Sequence, residues 1–312
     1  MATQSRFHFA LYLAGLTAFF WFGISACQLN PYLQNSTGFS QPTATVTPTY
    51  RIVDLASITP ASTPTILPSS TVTPKAPSSI ESGQADADWL PYSLNYQIYL
   101  PAGYAKETRE CYPLLILLHG QSYQESQWLD LDIQIVADEQ IQRTGKPYLI
   151  AMPREVYYLQ EMEESLYSRA IGELLVNHLL ENYPICKERS QHAVGGISRG
   201  AAWAVHVGFE YPQTFAAIGA HSLPPHRNDI HKMQYWVKSI SPKQPIAIYI
   251  DIGAYDRYVE AAQVFQNALV KYHIPHEFHL KDGTHEDAYW QLHLPEYLDW
   301  YANPWLRLNS SD

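Results

Sequence analysis

An apolar strand, His192 to Gly196, runs into Gly196-Ile-Ser198-Arg-Gly200 and from there directly into a helix-forming stretch, Arg199 to Tyr211. A serine on a sharp strand-to-helix turn sits at strained backbone angles, and the flanking glycines let the strand and helix pass closely. Its hydroxyl then stands at a helix N-terminus, where the amides favour negative charge. A five-residue Gly-x-Ser-x-Gly pattern arises by chance in roughly one chain in ten of this length, so its meaning depends on what surrounds it.

Around it, apolar strands alternate with amphipathic helices. Strands are predicted at Leu94 to Leu100, Pro113 to Leu118, Tyr148 to Met152, His192 to Gly196, Phe215 to Gly219, Ile246 to Asp251 and His276 to Leu280. The continuous run Leu114 to Leu118 reads as a strand covered on both faces. Helices are predicted over Arg199 to Tyr211, Arg257 to Tyr272, Glu286 to Tyr301 and Ser165 to Tyr183. The last of these puts Leu166, Ala170, Ile171, Leu174, Leu175, His178 and Leu179 on one face, with Ser165 as N-cap. The alternation predicts an α/β fold with a mostly parallel sheet flanked by helices on both faces. Sites in such sheets collect at the carboxyl ends of the strands.

The folded part is expected at residues 86–308, long enough for one sizeable core. Residues 1–27 form an export segment: Arg6, an apolar run from Phe7 to Ala26, and small residues placed directly before Cys27. They resemble a bacterial lipoprotein signal in which Cys27 carries the lipid. An uncleaved anchor and an ordinary cleaved signal peptide are the alternatives, and all three export the chain. Residues 28–85, rich in Thr, Ser and Pro with repeated Thr-Pro steps, are expected to be a disordered linker. A formal net charge of −10 without basic clusters argues against nucleic acid as a partner. Of three cysteines, Cys111 and Cys186 each precede a predicted strand. If those strands are neighbours, the two are a candidate disulfide, with buried free thiols as the alternative. No Cys/His spacing of the metal-binding kind competes.

Acyl transfer by serine needs a nucleophile, a base, an orienting acid and donors for an oxyanion, and each has a candidate at a strand end. Ser198 is the nucleophile. His285, in a glycine-bearing loop between the last strand and the final helix, is the base. Two carboxylates compete for the acid: Asp251 closes its strand, while Asp256 lies beyond Gly253 and reaches sideways to the histidine. Asp256 is therefore preferred, and Asp251 is assigned structural hydrogen bonds. The backbone amides of Arg199 and of Gln121, after His119-Gly120, are the candidate oxyanion donors. Trp128 is a pocket candidate that competes with a place in the core. His221 and His226 are rim candidates that compete with ordinary exposed loop positions. Arg154 and Tyr157-Tyr158 are candidates for a lid or rim.

Together, Leu117-Leu-His119-Gly120, Gly196-Ile-Ser198-Arg-Gly200, Gly253-Ala-Tyr-Asp256 and Gly283-Thr-His285 resemble the esterase D or feruloyl esterase type family of α/β hydrolases. The resemblance covers about Tyr92 to Trp300. It implies an α/β hydrolase fold, a Ser198, Asp256 and His285 triad, and backbone donors at Gln121 and Arg199; the esterase reading needs no cofactor, and no metal is expected. The family's pattern often has methionine at position 199 and glycine at 201, where this chain has Arg199 and Ala201. Arg199 is expected to put a charge near the pocket floor, selecting against bulky apolar acyl groups. The reading is an extracytoplasmic serine esterase acting on a carbohydrate-linked or small acyl ester through an acyl-enzyme, tethered to the membrane by its N-terminal lipid or anchor. An acyltransferase of the mycolyltransferase kind, a non-catalytic surface binding module and a peptidase are the alternatives. Acyl and alcohol specificity and oligomeric state stay open.

Overall fold

All five side chains of β3 (Leu114–Leu118) are buried, because successive residues point to opposite faces and both faces are covered. Leu114, Ile116 and Leu118 enter one core, and Leu115 and Leu117 enter the other. The computed structural model describes residues 76–308 except 109, 226–228 and 241–242. Cys27, residues 28–75 and His226 lie outside the described residues.

β3 sits in an eight-stranded sheet with β1 (Ser79–Ala85), β2 (Leu94–Leu100), β4 (Leu149–Pro153), β5 (His192–Ile197), β6 (Ala217–His221), β7 (Ala247–Gly253) and β8 (Glu277–Lys281), in the order β1-β2-β4-β3-β5-β6-β7-β8. β1 pairs antiparallel with β2, and β2 with β4. From β4 through β8 every pairing is parallel. One core packs under α5 (Arg199–Glu210) and α7 (Val259–Lys271). The other packs under α2 (Ile133–Thr144) and α8 (Asp287–Leu308). This is the α/β hydrolase architecture, and it brings the ends of β3, β5, β6, β7 and β8 to one edge.

Several boundaries differ from the sequence reading. The linker's last residues, Ser79–Ala85, form β1, so the ordered sheet begins before residue 86. Only Ala85 of this strand is buried. An edge strand held by main-chain pairing need not carry the alternating apolar pattern that marks a strand in sequence. β6 starts at Ala217, two residues later than expected, while Phe215 is buried ahead of it. The predicted helix over Ser165 to Tyr183 consists of α3 (Tyr167–Arg169), a π-helical stretch (Ala170–Leu175) and α4 (Val176–Asn182). The wider π turn shifts the helical phase. Val176, after the π turn, faces the core, while Leu166, ahead of the helix, is exposed. Ser165 acts in its predicted neighbourhood, its Oγ accepting the Tyr167 amide at 3.2 Å.

Cys111 and Cys186 precede the adjacent strands β3 and β5 and are joined by a disulfide, their Cα atoms 4.8 Å apart. Tyr112 and Ile185, each next to one of the cysteines, make a parallel bridge that holds the approaches to the two strands in register.

Candidate active site

Ser198 follows β5 directly, at φ 53° and ψ −123°. Positive φ is uncommon for a residue with a side chain, and the turn is fixed by what packs around it. A Cβ on Gly196 would lie 2.3 Å from the Gly200 carbonyl, and one on Gly200 would lie 2.1 Å from the Leu118 oxygen. Neither position accepts a side chain. The Ser198 amide donates to the His221 carbonyl at 2.9 Å, tying the elbow to β6.

Three elements meet at this hydroxyl. Ser198 Oγ lies 2.9 Å from His285 Nε2, and His285 Nδ1 lies 2.7 Å from Asp256 Oδ2. A carboxylate only accepts hydrogen bonds. Asp256 thus fixes the proton on Nδ1 and leaves Nε2 to accept from the serine. The Tyr258 amide donates to Asp256 Oδ1 at 2.8 Å. Burial pushes the Asp256 carboxyl up, but hydrogen bonds from His285, the Tyr258 amide and Ser222, with the charge of His285, leave it below the usual carboxylate range. The rings of Tyr258 and Trp290 meet the imidazole edge-on at centroid distances of 5.0 and 5.1 Å. The imidazole is thereby held on two sides as well as through both nitrogens.

The loop after β3 runs beside the serine, since a Cβ on Gly120 would stand 3.6 Å from Ser198 Cβ. The Gly120 amide donates to Gln127 Oε1 at 2.7 Å. The buried His119 ring accepts the Glu155 amide at Nε2, 2.8 Å away. That sets its tautomer, so Nδ1–H donates to the Gly120 carbonyl at 2.8 Å. Burial pushes the His119 imidazole below its ordinary value, which favours this neutral form. The Gly120 carbonyl and the Gln121 amide belong to one peptide plane. Fixing the first orients the second.

The Arg199 side chain does not stand free on the pocket floor as expected. Its Nε and Nη2 engage the Glu155 carboxylate at 2.9 and 2.7 Å, and Nη2 also donates to the Gln160 carbonyl at 2.8 Å. The Glu155 side chain is only 3% exposed. The charge is thus neutralised by a bidentate pair that straps the loop after β4 to the start of α5. Sequence carried no partner signal for Arg199, because Glu155 is distant in the chain and unremarkable in type. Removing one member of a buried pair leaves the other uncompensated. Arg199→Met is expected to lower stability by about 3 kcal/mol in urea unfolding, and adding Glu155→Leu to recover most of that loss. A neutral Arg199→Met single variant would show that the pair holds nothing.

Of the pocket and rim candidates, Trp128 is buried in the core between β3 and α2. His221 is neither a rim residue nor an exposed one: it is fully buried, with Nδ1 2.6 Å from Asp251 Oδ1 and Nε2 2.9 Å from the Tyr301 hydroxyl. Asp251 also accepts from the Tyr289 and Tyr297 hydroxyls, each at 2.7 Å. It makes the structural bonds assigned to it, and Asp256 alone reaches His285. Tyr157 is exposed and Arg154 faces Glu125 at 3.8 Å. Sequence reasoning missed Glu155, Ser222, Tyr258 and Trp290. Ser222 carried no signal: it follows the end of β6 as Ser198 follows the end of β5, but the apolar pattern stops at Gly219.

Residues 89–301 match the profile of the family described as "Putative esterase". Among solved structures, a ferulic acid esterase superposes with a TM-score of 0.64 at 19% identity, covering 73% of this chain and 99% of that one. An S-formylglutathione hydrolase from Staphylococcus aureus gives 0.64 at 18% identity, covering 74% and 98%. A ferulic acid esterase from Anaeromyces mucronatus, in complex with ferulic acid, gives 0.60 at 18%, covering 71% and 89%. At such identities the likeness is one of fold.

Proposed function

We propose, since the chain belongs to the esterase family and is a carboxylic ester hydrolase, that it works through an acyl-enzyme on Ser198, with His285 as general base and Asp256 as the orienting acid. The observation that carries the proposal is the unbroken chain from Ser198 Oγ through both His285 nitrogens to Asp256, at 2.9 and 2.7 Å, built on an elbow that tolerates no Cβ at either glycine.

The chemistry follows from these positions. As Ser198 Oγ attacks the ester carbonyl, its proton passes to His285 Nε2, and Asp256 stabilises the imidazolium. Negative charge develops on the carbonyl oxygen, where the amides of Gln121 and Arg199 donate to it. Collapse of the tetrahedral intermediate expels the alcohol, which takes the proton from His285. Water then attacks the acyl-enzyme, gives a proton to the same nitrogen, and releases the acid and the free serine.

The substrate is proposed to be a small acyl or carbohydrate-linked ester met outside the cytoplasm, with Cys27 as the lipid-bearing first residue of the mature chain. The segment ahead of Cys27 and the Thr-Pro-rich stretch after it support this placement. The test is turnover of p-nitrophenyl esters from acetate to octanoate, with methyl ferulate, together with stoichiometric labelling by a fluorophosphonate and mapping of the modified residue. Hydrolysis with the label on Ser198 is the expected result. A label elsewhere, or turnover untouched by full labelling, would sink the assignment. The mass of the mature N-terminus tests the tether: a diacylglyceryl increment on Cys27 is expected, and an unmodified Met1 would refute it.

A further inference from the structure

Ser222 is the residue immediately after β6, fully buried, with φ 55° and its amide donating to the Asp251 carbonyl at 2.8 Å. A glycine adopts such a backbone without strain, whereas a residue with a Cβ does not. Strain of this kind persists at sites where the side chain has a use. Ser198, the residue directly after β5, has a similar φ of 53°.

The partners of the hydroxyl define that use. The Trp290 indole Nε1–H donates to Ser222 Oγ at 3.0 Å. An indole nitrogen only donates, so the Ser222 proton is left to point elsewhere, and the Asp256 carboxylate, to which the hydroxyl is hydrogen-bonded, receives it. Asp256 therefore accepts from three directions: His285 Nδ1, the Tyr258 amide and Ser222. Trp290 also lies edge-on to the His285 ring at 5.1 Å. One side chain of α8 thus touches the base directly and the acid through Ser222.

We infer that Ser222 is a positioning residue for the reaction, its hydroxyl locked by the Trp290 indole so that it donates to Asp256 and holds that carboxylate in line with His285. The inference rests on the Ser198, His285 and Asp256 reading above. Being fully buried, Ser222 acts through Asp256 and not on the substrate.

One consequence separates this role from a merely structural one. Loss of the hydroxyl frees the carboxylate to rotate, lowering kcat about 10- to 100-fold with KM nearly unchanged, the range for one hydrogen bond to a charged group.

The test compares Ser222→Gly and Ser222→Ala in the full chain, with Ser198→Ala and Asp256→Ala as references. Glycine accepts φ 55°, so its variant removes the hydroxyl without strain and keeps the test open should alanine impair folding. Both variants are expected to show the kcat loss with KM nearly unchanged. In an Asp256→Ala background, adding Ser222→Gly is expected to change kcat less than about twofold, because the two act as one unit. Wild-type kcat in Ser222→Gly, a loss carried by KM alone, or the full loss recurring without Asp256, would overturn the inference. A Ser198→Ala variant that stays active would instead bring down the triad reading on which it rests.

Discussion

Ser198→Ala is expected to lower kcat for ester hydrolysis on the order of 10⁶-fold, the loss seen when a serine hydrolase's nucleophile is removed. KM should shift little, because the amides of Gln121 and Arg199 proposed to face the substrate are main-chain groups that the substitution keeps. The fold should survive. Alanine at φ 53° is no more strained than serine, and the elbow is set by Gly196, Gly200 and the amide bond to the His221 carbonyl. Unfolding by urea should therefore match wild type within about 1 kcal/mol, and fluorophosphonate labelling should vanish. A variant that keeps even a hundredth of the wild-type kcat would mean that another group attacks the ester. The folded-state measurement matters here, since lost activity with lost structure would say nothing of the nucleophile.

The features legible in the sequence share a property: each is a local pattern. The run Leu114 to Leu118, the glycines about Ser198 and the glycine-bearing loops before Asp256 and His285 announce strand ends and turns through adjacent residues. The preference for Asp256 over Asp251 followed from the same logic, since a residue closing a strand has little reach. What stayed illegible depends on partners far along the chain. β1 is held by main-chain bonds to β2 that any sequence can make. α2 turns Ile133, Ala137 and the polar Gln140 inward, and Gln140 belongs there because Nε2 donates to the Leu298 carbonyl at 2.9 Å. Arg199 looked like a free charge because Glu155 lies beyond any helical or strand repeat from it. His221 looked like a loop residue because β6 ran two residues further than its apolar pattern. In each case a polar residue was satisfied by a tertiary contact, which composition and periodicity do not encode.

The same change at two neighbouring aspartates should give opposite results. Asp256→Ala is expected to cost on the order of 10⁴ in kcat while stability stays within about 2 kcal/mol of wild type, because its main partner, His285, is only partly buried. Asp251→Ala is expected to cost about 4 kcal/mol or more of stability, since it strands a buried partner and two hydroxyl donors. His221, Tyr289, Tyr297 and Tyr301 would all lose their organising charge, and the stacking of Tyr297 on His221 at 3.6 Å leaves no room for water to replace it. The sign with pH is fixed by the carboxyl itself. Burial pushes Asp251 up, but the adjoining His221 and the Tyr297 and Tyr289 hydroxyls hold it below the ordinary carboxylate value. A group depressed on folding contributes stability above its unfolded value, about 3.9, and loses it as pH falls through the folded one. Wild-type stability should therefore decline in acid below about pH 4, and Asp251→Ala should show a shallower decline from a lower plateau. Urea unfolding from pH 3 to 7 for both variants measures this. Equal stabilities for the two, or an Asp251→Ala protein as steep in acid as wild type, would show that the buried carboxylate is not what holds α8 against the sheet.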